Sequence, residues 1–297
     1  MPVGTIRKTA GEKAFDALLL LALAAVAAAT LYPFWNQVAL SLSDDASAYS
    51  TGMLLVPSKV TFASYGLVAQ YKQLWVGYGN TVVRTVLGVL LSVLFTSLTA
   101  YPLSKRGLPW NRLFTTLILF TMLFNGGLIP NYLLIKNMHL YNTLWALVIP
   151  GMIGAFNVFI MRNFFRSLPD SLEESAKIDG AGYGLIFRTI VLPLSKPVLA
   201  TVALWVAVSH WNAWFDSMIY ISDPAKQVLQ VVLRRIIVEN NVEDLNAALY
   251  RMGEPSKFTG RQLQSTMIMC SLIPMLIAYP FVQKHFVKGI MLGAVKG

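Results

Sequence analysis

"LEESAKIDGAGYGLIFRTIVLP", residues 172–193, is a polar, glycine-rich island in a chain that is otherwise strongly apolar. It follows "RSLPDS", in which Pro169 suits a first helical turn and Ser171, with Glu174 three residues on, forms a capping-box pattern. Asp170, Glu173 and Glu174 crowd the same end, where carboxylates complement the helix dipole. The spacing predicts a helix from Pro169 to Asp179, ended by Gly180 in the left-handed conformation. A second short helix, "LIFRTIV", is expected to run on until Pro193. Two short helices joined by a glycine turn make a compact knob, with Ala176, Ala181 and Gly182 small enough to admit a partner's backbone. Read from composition alone, the same stretch is a solvated hairpin linking two apolar segments.

The rest of the chain is built for lipid. Of its 297 residues 56% are hydrophobic and 13% charged, against about 25% charged in a soluble domain. A bilayer core about 30 Å thick takes roughly 20 helical residues per crossing. Six segments qualify, at 15–40, 79–103, 113–135, 143–161, 196–220 and 264–283. The expected fold is therefore all-α, one polytopic membrane domain. With the N-terminus on the cytoplasmic side, 14 of the 24 lysines and arginines fall in the inside connections, so both termini read as cytoplasmic. The net charge of +10 would suggest nucleic acid in a soluble protein. Here the basic residues stand mostly between spans and meet lipid headgroups, so no nucleic-acid partner is expected. Cys270 is the single cysteine, inside an apolar run, which excludes a disulfide framework.

This reading divides the chain into an N-terminal segment with the first helix (1–42), an outside loop (43–78), a five-span core (79–283) and an inside tail (284–297). The core carries the knob within the inside loop 162–195 and a second outside segment, 221–263. The start "RKTAGEKAFDALLLLALAAVAAAT" also fits a cleaved signal peptide, with small residues at Ala27, Ala28 and Ala29. The apolar run continues through Leu42, longer than a signal core, and favours a retained helix. Residues 43–78 are Ser-, Gly- and Tyr-rich with little periodicity. In "QVLQVVLRRIIVEN", Val228, Val231, Val232, Arg235 and Val238 fall near helical spacing, which predicts an amphipathic helix lying on the surface.

Glu174-Ser175-Ala176, three residues, Gly180, nine residues, Ile190, one residue and Leu192-Pro193 resemble the Glu-Ala-Ala…Gly…Ile-x-Leu-Pro loop of ABC importer permeases. Ser175 stands where that family has an alanine, and Asp179 before Gly180 is usual in its sugar-importing branch. "NGGLIPNYLLIKNMHLYNTLWALVIP" (125–150), "IMRNFFRSLPDSLEESAKIDGA" (160–181), "IVLPLSKPVLATVAL" (190–204) and "QKHFVKGIMLGAVKG" (283–297) are similar to the maltose-type permeases. Within that family they resemble the subset serving complex oligosaccharides, including alginate- and pectin-derived sugars. The resemblance covers about residues 75–297. It implies a bacterial inner-membrane subunit whose knob seats in a cleft of a separate ATPase subunit, through Glu173, Glu174, Ser175, Ala176, Asp179, Gly180, Ala181, Ile190, Leu192 and Pro193. It also implies a second permease, two ATP-binding subunits holding ATP and Mg, and an extracytoplasmic solute-binding protein. The tail, with Lys284, His285 and Lys288, then reaches between ATPase subunits or anchors to anionic lipid. The chain itself has no Gly-x-x-x-x-Gly-Lys-Ser/Thr loop and no Gly-Lys dipeptide, so it is not expected to hydrolyse ATP.

A second candidate site is "WVAVSHWNAWFDS", residues 205–217. Trp205, Trp211, His210 and Asn212 combine ring faces that stack on sugars with hydrogen-bonding groups. Trp214 suits an aromatic belt, since the outer boundary falls near Asp216. Arg84, costly against lipid, either snorkels outward or meets an acidic substrate or partner. Asn125, at the Gly126-Gly127 break, is a further candidate for the pathway. His139, His210 and His285 are scattered and no His-Glu-x-x-His occurs, so no metal site and no catalytic constellation is expected. The expected function is uptake of oligosaccharides, acidic ones such as those of alginate. Neutral sugars are the nearer alternative, and an ion-driven transporter the more distant one, since no inverted repeat is evident.

Overall fold

The computed structural model describes residues 9–43, 56–57, 59–237 and 260–294, with side chains as far as Ile277. The chain divides into two compact units, one of residues 1–71 and 241–272, the other of residues 72–240 and 273–297.

In the first unit, α1 (Ala10–Ser41) opens on a capping box in which Thr9 and Glu12 satisfy each other's backbone N–H groups. Most of its length is exposed apolar side chain, among them Leu18, Leu20 and Leu21. A helix apolar all round is one that faces lipid or other helices. Its last turn is held by short polar groups. Ser64 Oγ, on α2 (Ala63–Gln70), donates to the Ser41 carbonyl at 2.9 Å, and Ser41 Oγ meets the Tyr65 hydroxyl at 2.7 Å. In α14 (Gly260–Ala294), Ser265 donates to Gln37 at 2.7 Å, while Thr266 reaches Ser64 at 3.1 Å. The stretch expected as an aperiodic loop over 43–78 thus contains α2 and the start of the next helix, which begins at Lys72 rather than near residue 79. The buried face of α2 is only Ser64, Leu67 and Val68, too short for periodicity to reveal.

The second unit is organised by α3 (Lys72–Ser104), a single 33-residue helix. Its buried positions include Gly77, Thr81, Arg84, Gly88, Ser92, Thr96 and Ala100, spaced three or four apart along one face. Except for Arg84 these are small, and small residues let neighbouring helices approach closely. Against that face pack α7 (Ala155–Arg166), α11 (Lys196–Asn212) and α13 (Leu229–Ile237). The last of these is amphipathic as expected, with Arg235 exposed and its apolar face turned onto α3. Val228, Leu229, Val231, Val232 and Ile236 are buried, and a Cβ on Gly77 would stand 3.0 Å from the Leu229 Cα. Apolar spacing revealed the face but not that α3 covers it. Val238 lies outside the described residues.

Gly77→Leu is therefore expected to overpack this contact and lower stability by about 1–3 kcal/mol. Gly79→Leu, beside open space, should be neutral or stabilising, because glycine costs about 1 kcal/mol inside a helix. Thermal unfolding of the two variants in detergent checks the difference in sign.

Three of the expected spans are interrupted. The third is α4 (Asn111–Leu123) and α5 (Leu128–Asn137), bent by 113°. At the break Gly127 takes φ +88°, and Asn125 Oδ1 accepts its N–H at 3.0 Å. The fourth begins as the single turn α6 (Trp145–Val148) and resumes at α7 after Pro150, Gly151 and Gly154. The fifth is α11 followed, after a break at Ala213 and Trp214, by α12 (Phe215–Tyr220). Helix-breaking residues are tolerated at such depth where neighbours re-satisfy the backbone. Among the described residues, α1 and α3 are long and apolar enough to cross a bilayer unbroken, and two bent pairs, α4 with α5 and residues 183–194 with α11, bring the number to at most four if each pair is one span. The backbone of α14 remains helical through Ala294, so the expected tail continues the last helix. The side chains of Lys284, His285 and Lys288 lie outside those described.

Candidate functional site

The knob is α8 (Asp170–Ile178) followed by a second helical stretch, and its turn is fixed by backbone geometry. After the last helical residue come Asp179 and then Gly180 with φ +85°. The Gly180 N–H donates to the Lys177 carbonyl at 3.0 Å, and the Ala181 N–H reaches back to the Ala176 carbonyl at 2.9 Å. This nested pair of bonds is a Schellman motif, which needs a residue at positive φ and so selects glycine. The expected capping box does not form. Pro169, which has no side-chain acceptor, occupies the N-cap, and Ser171 lies inside the first turn. Its carbonyl accepts from Ser175 Oγ at 2.9 Å.

The second stretch is α9 (Tyr183–Ile186), a π-turn over Phe187–Val191 and α10 (Leu192–Leu194). Pro193 has no N–H to give the Thr189 carbonyl, and its ring crowds that carbonyl. The wider π-turn relieves the conflict, so Pro193 is accommodated and the helical path breaks instead at Ser195, where it bends by 79° into α11.

Burial splits the motif residues into two sets. Ala176, Ala181, Ile190 and Leu192 pack inward against a core that includes Tyr101, Phe165, Ile186 and Phe187. The two alanines thus contribute to the chain's own packing. Glu174, Ser175, Asp179, Gly180 and Pro193 are exposed. Leu172, Tyr183, Leu185 and Ile178, the last 86% exposed, share the outer surface of the knob. Glu173 also turns inward and forms an ion pair with Lys105, just beyond the end of α3. The Lys105 ammonium lies 4.4 Å from the centre of the Tyr101 ring. Arg162 and Arg166 on α7 donate to the Leu103 and Ser104 carbonyls at 3.1–3.3 Å, which completes the C-terminus of α3 with cationic donors. A cleft of about 830 Å³ opens between this corner and the knob.

A second cavity, about 660 Å³, is lined by Arg84, Phe156, Asn157, Trp205, His210 and Asp216, among others. Arg84 is 2% exposed. Its Nε–H donates to His210 Nδ1 at 3.2 Å, one Nη1–H donates to the Ala213 carbonyl at 3.2 Å, and Nη2 pairs with the Asp216 carboxylate. Ala213 follows the last residue of α11, so Arg84 satisfies a carbonyl that the helix end leaves without a partner. Accepting at Nδ1, the imidazole is neutral and carries its proton on Nε2. Gly88 makes room for that ring, since a Cβ there would stand 2.3 Å from Nε2.

Of the pathway residues expected from the sequence, Arg84, Trp205 and His210 come together in this cavity. Asn125 is elsewhere, exposed at the α4–α5 bend. Trp211 is buried with its ring 6.3 Å from that of Tyr78, and Asn212 is exposed with its amide on the Val208 carbonyl at 2.8 Å. The acid that meets Arg84 is the chain's own Asp216, rather than a substrate or partner group. A lone arginine and a lone aspartate in two apolar spans were the available signal, because such charges pair when they leave water. Phe156 and Asn157 carried no comparable signal. Among the described residues no group of His, Cys, Asp and Glu is placed to hold a metal ion.

Residues 81–292 match the family described as the inner membrane component of binding-protein-dependent transport systems. Protein LplC of Bacillus subtilis is 38% identical over 295 residues, 99% of each chain. The polygalacturonan/rhamnogalacturonan transport system permease protein YtcP of the same species is 39% identical over 286 residues, 96% of this chain and 99% of that one. Among solved structures, a chain of a bacterial ABC transporter involved in the import of the acidic polysaccharide alginate superimposes with a TM-score of 0.89. It is 35% identical, and the match covers 95% of this chain and 100% of that one.

Proposed function

Because the chain belongs to the inner membrane component family of binding-protein-dependent transport systems, we propose that it is the permease subunit of an ATP-driven oligosaccharide importer in a bacterial cytoplasmic membrane. The observation that carries this reading is the knob. It is a short helix stapled by a Schellman turn, packed inward through Ala176 and Ala181, and presenting Glu174, Ser175, Asp179 and Ile178 outward. A transport subunit without a phosphate-binding loop takes its energy from another polypeptide or from an ion gradient, and a rigid exposed knob is what an ATP-binding subunit can grip and move. Two such subunits, carrying ATP and Mg, a second related permease and an extracytoplasmic solute-binding protein complete the proposed assembly.

The substrate reading rests on relatives and on the cavity. The alginate and polygalacturonan systems handle acidic chains, which supports acidic oligosaccharides here. The cavity favours a second reading, a neutral oligosaccharide, because Asp216 already compensates the charge of Arg84. In either case Trp205, with Phe156 at 5.6 Å between ring centres, offers aromatic faces to a sugar ring. Trp205→Ala is expected to lower uptake about two- to tenfold, whereas Trp211→Ala, outside the cavity, should lower stability more than transport.

The test is reconstitution of the co-purified complex in proteoliposomes with its binding protein, supplied with labelled oligouronates or neutral oligomers of equal length. ATP-dependent uptake that survives collapse of the proton gradient is the expected result. Uptake without ATP, or purification without any ATP-binding subunit, would overturn the proposal.

A further inference from the structure

The two adjacent glutamates of the knob both line the cleft but are held differently, and the difference assigns them different tasks. Glu174 is exposed and has no ion pair among the described residues. Glu173 is held by Lys105, with side-chain exposures of 13% and 25% respectively. α8 needs such an attachment. It has nine residues and none is buried, and a helix that short is marginal on its own in water. Its first turn carries no side-chain cap. Its contacts with the core come through Ala176 and, beyond the turn, Ala181, which are small and resist sliding poorly. Lys105, in contrast, stands on a braced base. The end of α3 beside it is tied to α7 by Arg162 and Arg166, and the ammonium rests over Tyr101. A fully exposed ion pair contributes little. This one is partly screened from water by the cleft it spans, whose other charged groups are Arg106, Arg166, Asp170, Glu174 and Lys177.

We infer that the Lys105–Glu173 pair is a strut that makes the knob and α3 move as one body. Both are positioning residues, acting through the knob on the transport step. Glu174 stays free for the partner that Glu173 does not touch. The inference rests on the permease reading above and names the part of the chain through which force enters the membrane helices.

The experiment uses the whole complex in proteoliposomes and reads sugar imported per ATP hydrolysed. Lys105→Glu and Glu173→Lys are each expected to lower that ratio about fivefold or more, the lower end of coupling free energies between sites. The double exchange, K105E with E173K, restores the pair in reverse and is expected to recover at least half of the wild-type ratio. A pair that merely stabilises the fold would lower yield, uptake and hydrolysis together and leave the ratio unchanged. An unchanged ratio in the single variants, or a double variant no better than the singles, overturns the strut. Where charge reversal prevents assembly, Lys105→Met and Glu173→Gln are read by the same ratio with the same two outcomes. A wild-type complex that shows no ATP-driven uptake overturns the permease reading and the strut with it, so the two failures are distinguishable.

Discussion

Gly180→Val is expected to abolish energised uptake, by tenfold or more, while Gly180→Asn keeps most of it. The reason is conformational rather than steric. A Cβ at residue 180 would meet nothing within 4 Å, but the backbone there has φ +85°. An ordinary side chain in that region costs about 1–2 kcal/mol, and a β-branched one is a true outlier. Asparagine tolerates left-handed backbone, because its short amide bonds locally. Valine would drive residue 180 out of that region and break the bonds from Gly180 and Ala181 to the Lys177 and Ala176 carbonyls. α8 would then lose its C-terminal closure and change direction relative to α9. Parallel measurement of uptake and ATP hydrolysis checks the order expected, glycine best, then asparagine, alanine and valine. A valine variant as active as the asparagine one would show that the turn geometry is dispensable.

Asp216→Ala is expected to have the largest effect on stability. It leaves a guanidinium that is 2% exposed without its counter-ion, and removing one member of a buried pair costs about 3–5 kcal/mol. The carboxylate keeps 30% of its surface in contact with solvent, which puts the expectation near 3 kcal/mol. Total stabilities are about 5–15 kcal/mol, so a large fall in unfolding temperature and in folded yield should follow. Replacing both partners, Arg84→Met with Asp216→Leu, should recover part of the loss, since apolar substitutes of similar volume avoid the unpaired charge. Recovery will be incomplete, because the Ala213 carbonyl and His210 Nδ1 lose their donor. Thermal unfolding of the single and double variants measures the coupling directly.

What the sequence revealed divides along the distance between interacting residues. The knob was legible because Asp170, Gly180 and the residues between them act on one another over a few positions. The direction of Glu173 was not, because its partner Lys105 is 68 residues away. The Arg84–Asp216 pair spans 132 residues, and the sequence showed only that each charge needed a partner. Apolar runs marked helical stretches but not the breaks at Ser195 and Ala213, which depend on neighbours accepting the freed backbone groups. The capping-box pattern at Ser171 and Glu174 was present without the structure it usually signals, since Pro169 had taken the cap. Within residues 205–217 the polar and aromatic residue types were evident. Which of them face a cavity follows from the packing of α11 on α3, and that separates Trp205 from Trp211.

From Arg84 to Ser104 the helix α3 advances about 30 Å, close to the thickness of a bilayer core. The turn at Arg84 lines the cavity and the C-terminal end stops beside the knob, so in the proposed importer the same rod is read from both sides. Thermodynamic reciprocity then applies. In the proposed importer, if nucleotide on the ATP-binding subunits changes the sugar's affinity by some factor, the sugar must change the nucleotide's affinity by that same factor. Measured separately at equilibrium, those two factors should be equal.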